Sequence, residues 1–422
     1  MNTTQANTQD NAPAESLAAR ELDLPELVLP IAFMRENDLY FYQETVEEFL
    51  PGNRVKVKNY GEMLLLGGCS YLDLEGHPAL RAAAIDALDR FGAGIQGARL
   101  LAGTLAVHHP LEAKIAELKQ TEAAITFTSG YAANTSAIPA LVGRHDTVIA
   151  DKLAHASLID GCVLSRAKLQ RFRHNDVAHL EELLAQSGGR GHRTLVVVDG
   201  VYSMDGDIAD LPAIARACRR HGAMLMVDEA HSFGMLGKNG HGIEEHFGLP
   251  PNTVDIKMGT LSKAIPASGA YIAGSRQLID FLVHQARGFV YSGALSPVQA
   301  AVALAALEVL QKEPERVRRL QENAAHFASR LREAGFDFAE SPSAIFPIIC
   351  GDDEKALRLA RGCQRRGIFV QAVVSPVVPQ GGARLRAVIT AGHRKEDLDW
   401  SVEVMAEVAE ELGGILPARE AA

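Results

Sequence analysis

The chain has 422 residues, 47% of them apolar and 22% charged, and its 42 basic and 52 acidic side chains give a formal net charge of −10. This is ordinary globular composition, with length for roughly two to three average domains and a deep site. No run of Lys and Arg marks a nucleic-acid surface, and no uninterrupted apolar run approaches the roughly 18 residues of a membrane span. The five cysteines (Cys69, Cys162, Cys218, Cys350 and Cys363) are scattered without a C-x-x-C spacing. They read as reduced thiols of a cytoplasmic protein, not as a disulfide frame or a metal site.

The opening "MNTTQANTQDNAPAESLAAR" lacks the basic-then-apolar order of a signal peptide, and residues 1–25 are expected to form a disordered tail. "GHPALRAAAIDALDRFG" predicts a helix with Pro78 near its start and an apolar face of Leu80, Ile85, Leu88 and Phe91. "HPLEAKIAELKQ" repeats the pattern with Leu111, Ile115 and Leu118. Short apolar runs follow at 123–127, 146–150, 194–199, 223–228 and 270–274. Each leads into polar or Gly-rich residues and, in most cases, a helical stretch. Continuous apolar strands between helices predict a mostly parallel sheet covered on both faces, with ligands at the carboxyl ends of its strands. From about residue 313 the pattern changes. A helix begins at Pro314, buries Val317, Leu320, Phe327 and Leu331, and ends at Gly335; short strands and two further helices follow. This predicts a smaller α+β unit.

The residues after these strands could carry chemistry. "TSGYAAN" places Thr128, Ser129 and Gly130 before a helix starting near Tyr131, which suits a phosphate or is an ordinary N-cap. His155 follows the second run and, alone, reads as structural. Ser203 lies in "GVYSMDGD", where turn chemistry suffices to explain it. Asp228 ends "AMLMVD", with His231 three residues on; a buried carboxylate there needs a partner. Lys263 stands among small residues in "MGTLSKAIPASGAYIAG", which read either as an exposed loop or as space for a bulky group. Together they supply a phosphate cradle, a flat ring, a carboxylate and an amine, which is what pyridoxal phosphate (PLP) requires.

At this point the chain resembles the α-oxoamine synthases, PLP-dependent enzymes of fold type I. The likeness runs from about Tyr71 to about residue 411. It is carried by "GARLLAGT" with His109 and "LE" after it, "TSGYAAN", "HASLIDG", "GVYSMDGDIADL", "VDEAHSFGMLGKNGHG", "GTLSKA" and "VVPQGGARLRAVITAGH". The resemblance implies the α/β transferase fold of that type. It divides into a segment over 26–75 packing with the small domain, a large PLP-binding domain over 76–312 and a small C-terminal domain over 313–422. It implies that Lys263 binds PLP as a Schiff base and acts as general base. Asp228 then pairs with the pyridine nitrogen, His155 stacks on the ring, and His231 hydrogen-bonds near the phenolic oxygen. Ser129, Gly130 and Tyr131 lie along the phosphate, Ser203 and Thr260 also contact the cofactor, and Arg384 holds the substrate carboxylate.

The chain departs from the pattern at Ser70, where an asparagine often helps position the amino acid, and at Asp199, where glutamate is common. It departs again in "YSGALSP", whose Ser292 could reach a neighbouring subunit's phosphate. The implied reaction is a decarboxylative condensation of glycine, alanine or serine with an acyl thioester on CoA or an acyl-carrier protein, in a homodimer with a shared site. It gives an α-amino ketone, carbon dioxide and free thiol. Two other readings stand beside it: an aminotransferase of the same fold type and a non-catalytic PLP-binding protein.

Overall fold

The computed structural model describes residues 31–187 and 191–413; the tail expected over residues 1–25 lies outside the described residues. Met1–Tyr40 and Phe41–Ala422 are two separate compact units. In the first, the described element is the short helix Ile31–Glu36.

The second unit begins with an antiparallel meander of β1 (Val46–Leu50), β2 (Arg54–Val57) and β3 (Gly61–Leu65). The central sheet is built from β4 (Ala123–Phe127), β5 (Thr147–Asp151), β6 (Lys168–Phe172), β7 (Thr194–Asp199), β8 (Met224–Asp228), β9 (Ile256–Ser262) and β10 (Pro266–Gly274), in the order β4-β10-β9-β8-β7-β5-β6. From β9 to β6 all neighbours run parallel; only β10 is antiparallel, to β4 and to β9. The C-terminal part supplies β11 (Ile345–Gly351), β12 (Ile368–Phe369), β13 (Gln371–Val373) and β14 (Ala383–Val388). β11, β14 and β13 form a three-stranded antiparallel sheet, and β12 joins β3 in parallel. Among the described residues no helix is long and apolar enough to cross a membrane.

Local sequence explains these elements. "TLVVVD" is buried at every position, as a central strand covered on both faces requires. The helices Gly130–Leu141 and Ala156–Ser165 pack Ala133, Ala137, Ile138, Leu158 and Cys162 on the sheet, against Val148, Leu195, Val197 and Met226. β6 escapes a reading by apolar pattern because it is an edge strand, "KLQRF", with only Phe172 fully buried. β9 escapes because Lys257 interrupts it. The structure buries Lys257 and pairs its amine with Glu244 Oε2 at 2.6 Å and the Lys119 carbonyl at 3.0 Å. One expectation is corrected. The helix Pro78–Phe91 buries Leu80 and Ala87, whereas Ile85 and Leu88 are nearly half exposed.

Three neighbouring parallel strands, β5, β7 and β8, each end in a buried aspartate: Asp151, Asp199 and Asp228. The loops after them carry His155, Ser203 and His231. Lys263 directly follows β9, in the turn to β10, where the pairing register shifts between Pro266 and Ala270.

The segment before the helix His108–Leu118 is fixed by a buried ion pair. Arg99 donates Nη1 to Glu112 Oε1 at 2.7 Å and Nη2 to Oε2 at 3.0 Å, and Thr126 N donates to Oε1 at 3.0 Å. Glu112→Ala would leave a buried guanidinium without its partner and is expected to cost about 3–5 kcal/mol. The double replacement Arg99→Met with Glu112→Leu is expected to recover most of that. Urea unfolding of the three proteins measures both values.

Candidate active site

The small residues around Lys263 have a packing cause. Gly234, at φ +78°, sits so close to Ala264 that a Cβ on it would lie 2.3 Å from the Ala264 Cβ, and a Cβ on Gly259 would lie 2.4 Å from the Tyr271 ring. The loop is therefore clamped between the turn after Asp228 and the strand beside it, and Lys263 leaves it from a fixed backbone.

That backbone aims the amine at the ends of β7 and β8. Lys263 Nζ lies 2.9 Å from His231 Nε2, and the Tyr71 hydroxyl lies 2.6 Å from His231 Nδ1. Burial lowers the Lys263 pKa below its ordinary 10.5, with Asp228 and Cys69 opposing and Arg386 adding to the fall. Burial likewise holds His231 well below 6.5, helped by the charges of Lys263, Arg386 and His155. Burial, and then Cys69, raises Tyr71. Each of the three shifts is in the direction of the neutral form, and Tyr71, His231 and Lys263 make a hydrogen-bonded chain through the two nitrogens of the imidazole.

Asp228 is only 3% exposed. Its Oδ2 accepts from Asn134 Nδ2 at 2.9 Å and its Oδ1 from Ala230 N at 2.9 Å. The second Asn134 N–H reaches Ser157 Oγ at 3.0 Å, which lies 2.7 Å from His155 Nδ1. His155 is the N-cap of its helix and its Nδ1 accepts from Ser157 N at 3.2 Å. The proton of the neutral ring is therefore on Nε2. Asp199 stands level with Asp228 in the sheet, and its Oδ2 accepts from His155 N at 2.9 Å. Burial, and then the Asp228 charge, push the Asp199 carboxyl well above the carboxylate range.

The third aspartate is neutralised differently. Asp151 Oδ1 lies 2.9 Å from His174 Nδ1, and Asp207 Oδ2 lies 2.9 Å from His174 Nε2. Both ring nitrogens face carboxylates, so both must donate and the ring is a cation. Burial works against that charge, yet the two bonds raise His174 to about 10. The cation joins the end of β5 to the loop that carries Ser203.

The remaining predicted residues fall as follows. Ser129 caps the helix Gly130–Leu141, its Oγ accepting from Ala132 N at 3.1 Å. Thr260 lies beside Gly130, with its hydroxyl 2.8 Å from Ser262 Oγ. Tyr131 is half exposed and its hydroxyl donates to Asp160. Ser70 lines a cavity of about 400 Å³ with Asn53, Arg54, Asp73, Glu75 and Arg316. Arg384 is held by Asp205 Oδ1 at 2.5 Å and the Met204 carbonyl at 3.2 Å. The arginine whose charge acts on Lys263, His231 and Tyr71 is Arg386, two residues on. Its Nε donates to the Ser203 carbonyl at 2.6 Å and its Nη1 lies 3.7 Å from Cys69 Sγ. Arg386, Cys69, Tyr71 and Asn134 are the residues that reading by motif passes over. Asn134 closes "TSGYAAN" and Arg386 closes "ARLR", and nothing within either motif sets them apart from their neighbours.

A lysine amine beside a buried carboxylate, with a histidine on the next loop, on a mostly parallel sheet whose strands end at these groups, defines a fold-type I PLP-dependent transferase. The chain matches the family model for aminotransferase class I and II over residues 61–405. It is 46% identical over 83% of its length, and 90% of the other chain's, to an 8-amino-7-oxononanoate synthase of Symbiobacterium thermophilum. It superposes on the serine palmitoyltransferase of Sphingomonas wittichii with a TM-score of 0.87 and 32% identity, covering 90% of this chain and 96% of that one. A structure of SPT with a PLP internal aldimine gives a TM-score of 0.85 at 31% identity, covering 88% and 93%. The chain belongs to the aminotransferase class I and II family and, within it, to the PLP-dependent α-oxoamine synthases. It is an acyltransferase that forms a carbon–carbon bond.

Arg386→Leu removes one of the influences that depress Lys263, so the amine should titrate closer to its ordinary 10.5. In protein prepared without PLP, the pH midpoint for reaction of Lys263 with an amine-directed acylating reagent is expected to move upward. An unchanged midpoint would show that the Arg386 charge does not reach the amine.

Proposed function

We propose that the protein condenses a small α-amino acid (glycine, alanine or serine) with an acyl thioester, releasing carbon dioxide and free thiol and yielding an α-amino ketone. One observation carries this reading: a desolvated amine of lowered basicity, Lys263, bonded to His231 and set among Asp228, Asp199 and Arg386. The name of the curated relatives' product, 8-amino-7-oxononanoate, likewise puts an amine and a ketone on adjacent carbons.

The donor set fits PLP. A Cβ on Gly130 would meet Met258 Cε at 2.8 Å and come within 3.8 Å of Thr260 Oγ1. Backbone N–H groups, hydroxyls and a residue without a side chain therefore share one spot at a helix start, which suits a phosphate. Lys263 would bind the aldehyde, Asp228 the ring nitrogen, His155 the ring face and His231 the phenolic oxygen. Ser129, Gly130, Tyr131 and Thr260 would lie along the phosphate, and Ser203 beside the ring. Bound PLP supplies an electron sink for the amino acid's α-carbon.

The chain's own groups do the rest. Asp228, held by Asn134 and Ala230 N, keeps a negative charge fixed at the strand end. Lys263, less basic than an ordinary lysine, removes the α-proton and can return it. His231 and Tyr71 accept or supply that proton at Nε2 and the hydroxyl. Arg386 takes the carboxylate-binding role expected of Arg384, because Asp205 already engages Arg384. A second copy is the proposed partner: Leu101, Tyr291 and Tyr131 are apolar or aromatic side chains left exposed.

Lys263→Ala is expected to lower turnover by about 10³-fold or more. The direct test gives the holoenzyme glycine, alanine or serine and then a panel of acyl thioesters, and measures carbon dioxide and free thiol together. Equal amounts of both support the condensation. Conversion of the amino acid to its 2-oxo acid with no thiol released would make the protein an aminotransferase.

A further inference from the structure

We propose that the cavity between the turn after His231 and the helix Glu315–Glu333 binds an amphiphilic carboxylate, a medium-chain fatty acid, with its head on Lys238. The site goes beyond the condensation reading, and only its effect on turnover draws on that reading. The cavity is about 600 Å³, within the range of roughly 300–1,000 Å³ that takes small ligands. It is lined by none of the residues assigned above to PLP or to substrate.

Leu320, Ala324 and Ala328 of the helix line it together with Met235 and Leu236 of the turn and Phe346 of β11. Their spacing of four puts the three helix residues on one side, and the two alanines leave room that larger side chains would fill. Lys238 also lines the cavity and is exposed. Among the described residues, its ammonium has no hydrogen bond or ion pair. The acidic residue of the lining, Glu245, is engaged: its carboxylate accepts from Asn239 Nδ2 at 2.6 Å, Asn239 N at 3.1 Å and His241 N at 2.9 Å. Gln321 gives its amide N–H groups to the Met235 and Gly237 carbonyls at 3.1 and 3.0 Å. Burial lowers the His246 pKa below its ordinary 6.5. The lining thus offers apolar surface and one unanswered positive charge, which suits a carboxylate on an alkyl tail and opposes a cation there.

Two walls of the cavity belong to segments that carry the site. The turn that supplies Met235 follows His231, and its Gly234 presses on Ala264, the neighbour of Lys263, with 2.3 Å between a Cβ there and the Ala264 Cβ. On the other wall, Ser341 Oγ donates to the Gly206 carbonyl at 3.2 Å, in the loop that carries Ser203. Ala344 N reaches Met235 Sδ at 3.4 Å and joins the two walls. A ligand that spreads them finds no slack at Gly234. Occupancy is therefore expected to lower kcat by displacing His231 and Lys263, with little change in KM for the thioester.

The test is calorimetric binding of octanoate, 1-octanol and octyltrimethylammonium to the full-length holoenzyme, with initial rates of thiol release measured alongside. The quaternary cation cannot react with PLP. The wild type is expected to bind octanoate more tightly than the other two. Lys238→Ala should weaken octanoate binding by about tenfold, and Lys238→Arg should keep most of it. Ala328→Trp, which fills the cavity from the helix, should abolish it. Saturating octanoate should lower kcat severalfold in the wild type and leave Ala328→Trp unaffected. Octanoate binding that neither Lys238→Ala nor Ala328→Trp weakens, equal binding of the cation, or no octanoate binding at all would overturn the proposal. So would inhibition that only raises KM, since octanoate would then compete for the thioester's own cavity. The two readings fail separately. Octanoate binding that depends on Lys238, in a protein that releases no thiol from any acyl thioester, keeps this site and loses the condensation.

Discussion

Three buried carboxylates end three adjacent parallel strands, and the site depends on how each of their charges is met. Burying an unpaired carboxylate is expensive, and a row of them adds mutual repulsion. Each is settled by different chemistry. Asp151 gains a counter-ion in His174, Asp199 is pushed toward its protonated form, and Asp228 keeps hydrogen bonds from Asn134 and Ala230 N near the amine of Lys263. The charge pattern proposed to hold PLP is thus a consequence of the sheet, because parallel strands bring their carboxyl ends to one edge.

The same settlement fixes the loops. Asp199 holds His155 N, Asn134 spans from Asp228 to the Ser157–His155 pair, and His174 ties the end of β5 to the loop bearing Ser203. Behind Asp228, Glu229 is fully buried and its Oε2 accepts from Lys119 Nζ at 2.6 Å, so the turn leading to His231 is anchored from below. The groups expected to meet substrate are held by residues that do not meet it themselves. Small displacements of such groups are costly to a reaction that needs aligned atoms.

Much of this was legible in the sequence. Runs such as "TLVVVD" and "AMLMVD" announce buried strands by unbroken apolar character, and the polar residues after them mark the sheet edge. What composition and period could not show is pairing at a distance. Nothing local distinguishes Arg384 from Arg386 in "ARLR"; only the loop carrying Asp205 claims the first and leaves the second to Ser203 and Cys69. Asn134 reads as one more residue of a helix start until the fold sets it 2.9 Å from Asp228 Oδ2. Lys257 hides β9 because a lysine inside a strand is tolerated only with a partner from another element, here Glu244. The small residues beside Lys263 signal crowding, and the structure shows the crowding to come from Gly234 and Tyr271.

The doubly bonded imidazolium of His174 has a thermodynamic side. A histidine raised to about 10 in the folded chain holds a proton that the unfolded chain releases near its ordinary 6.5. Its contribution to stability is whole below that value and drains away as the pH climbs from there through about 10. Unfolding in mildly alkaline solution therefore expels a proton from this position. The chain's tolerance of base is tied to the same ring that joins β5 to the Ser203 loop.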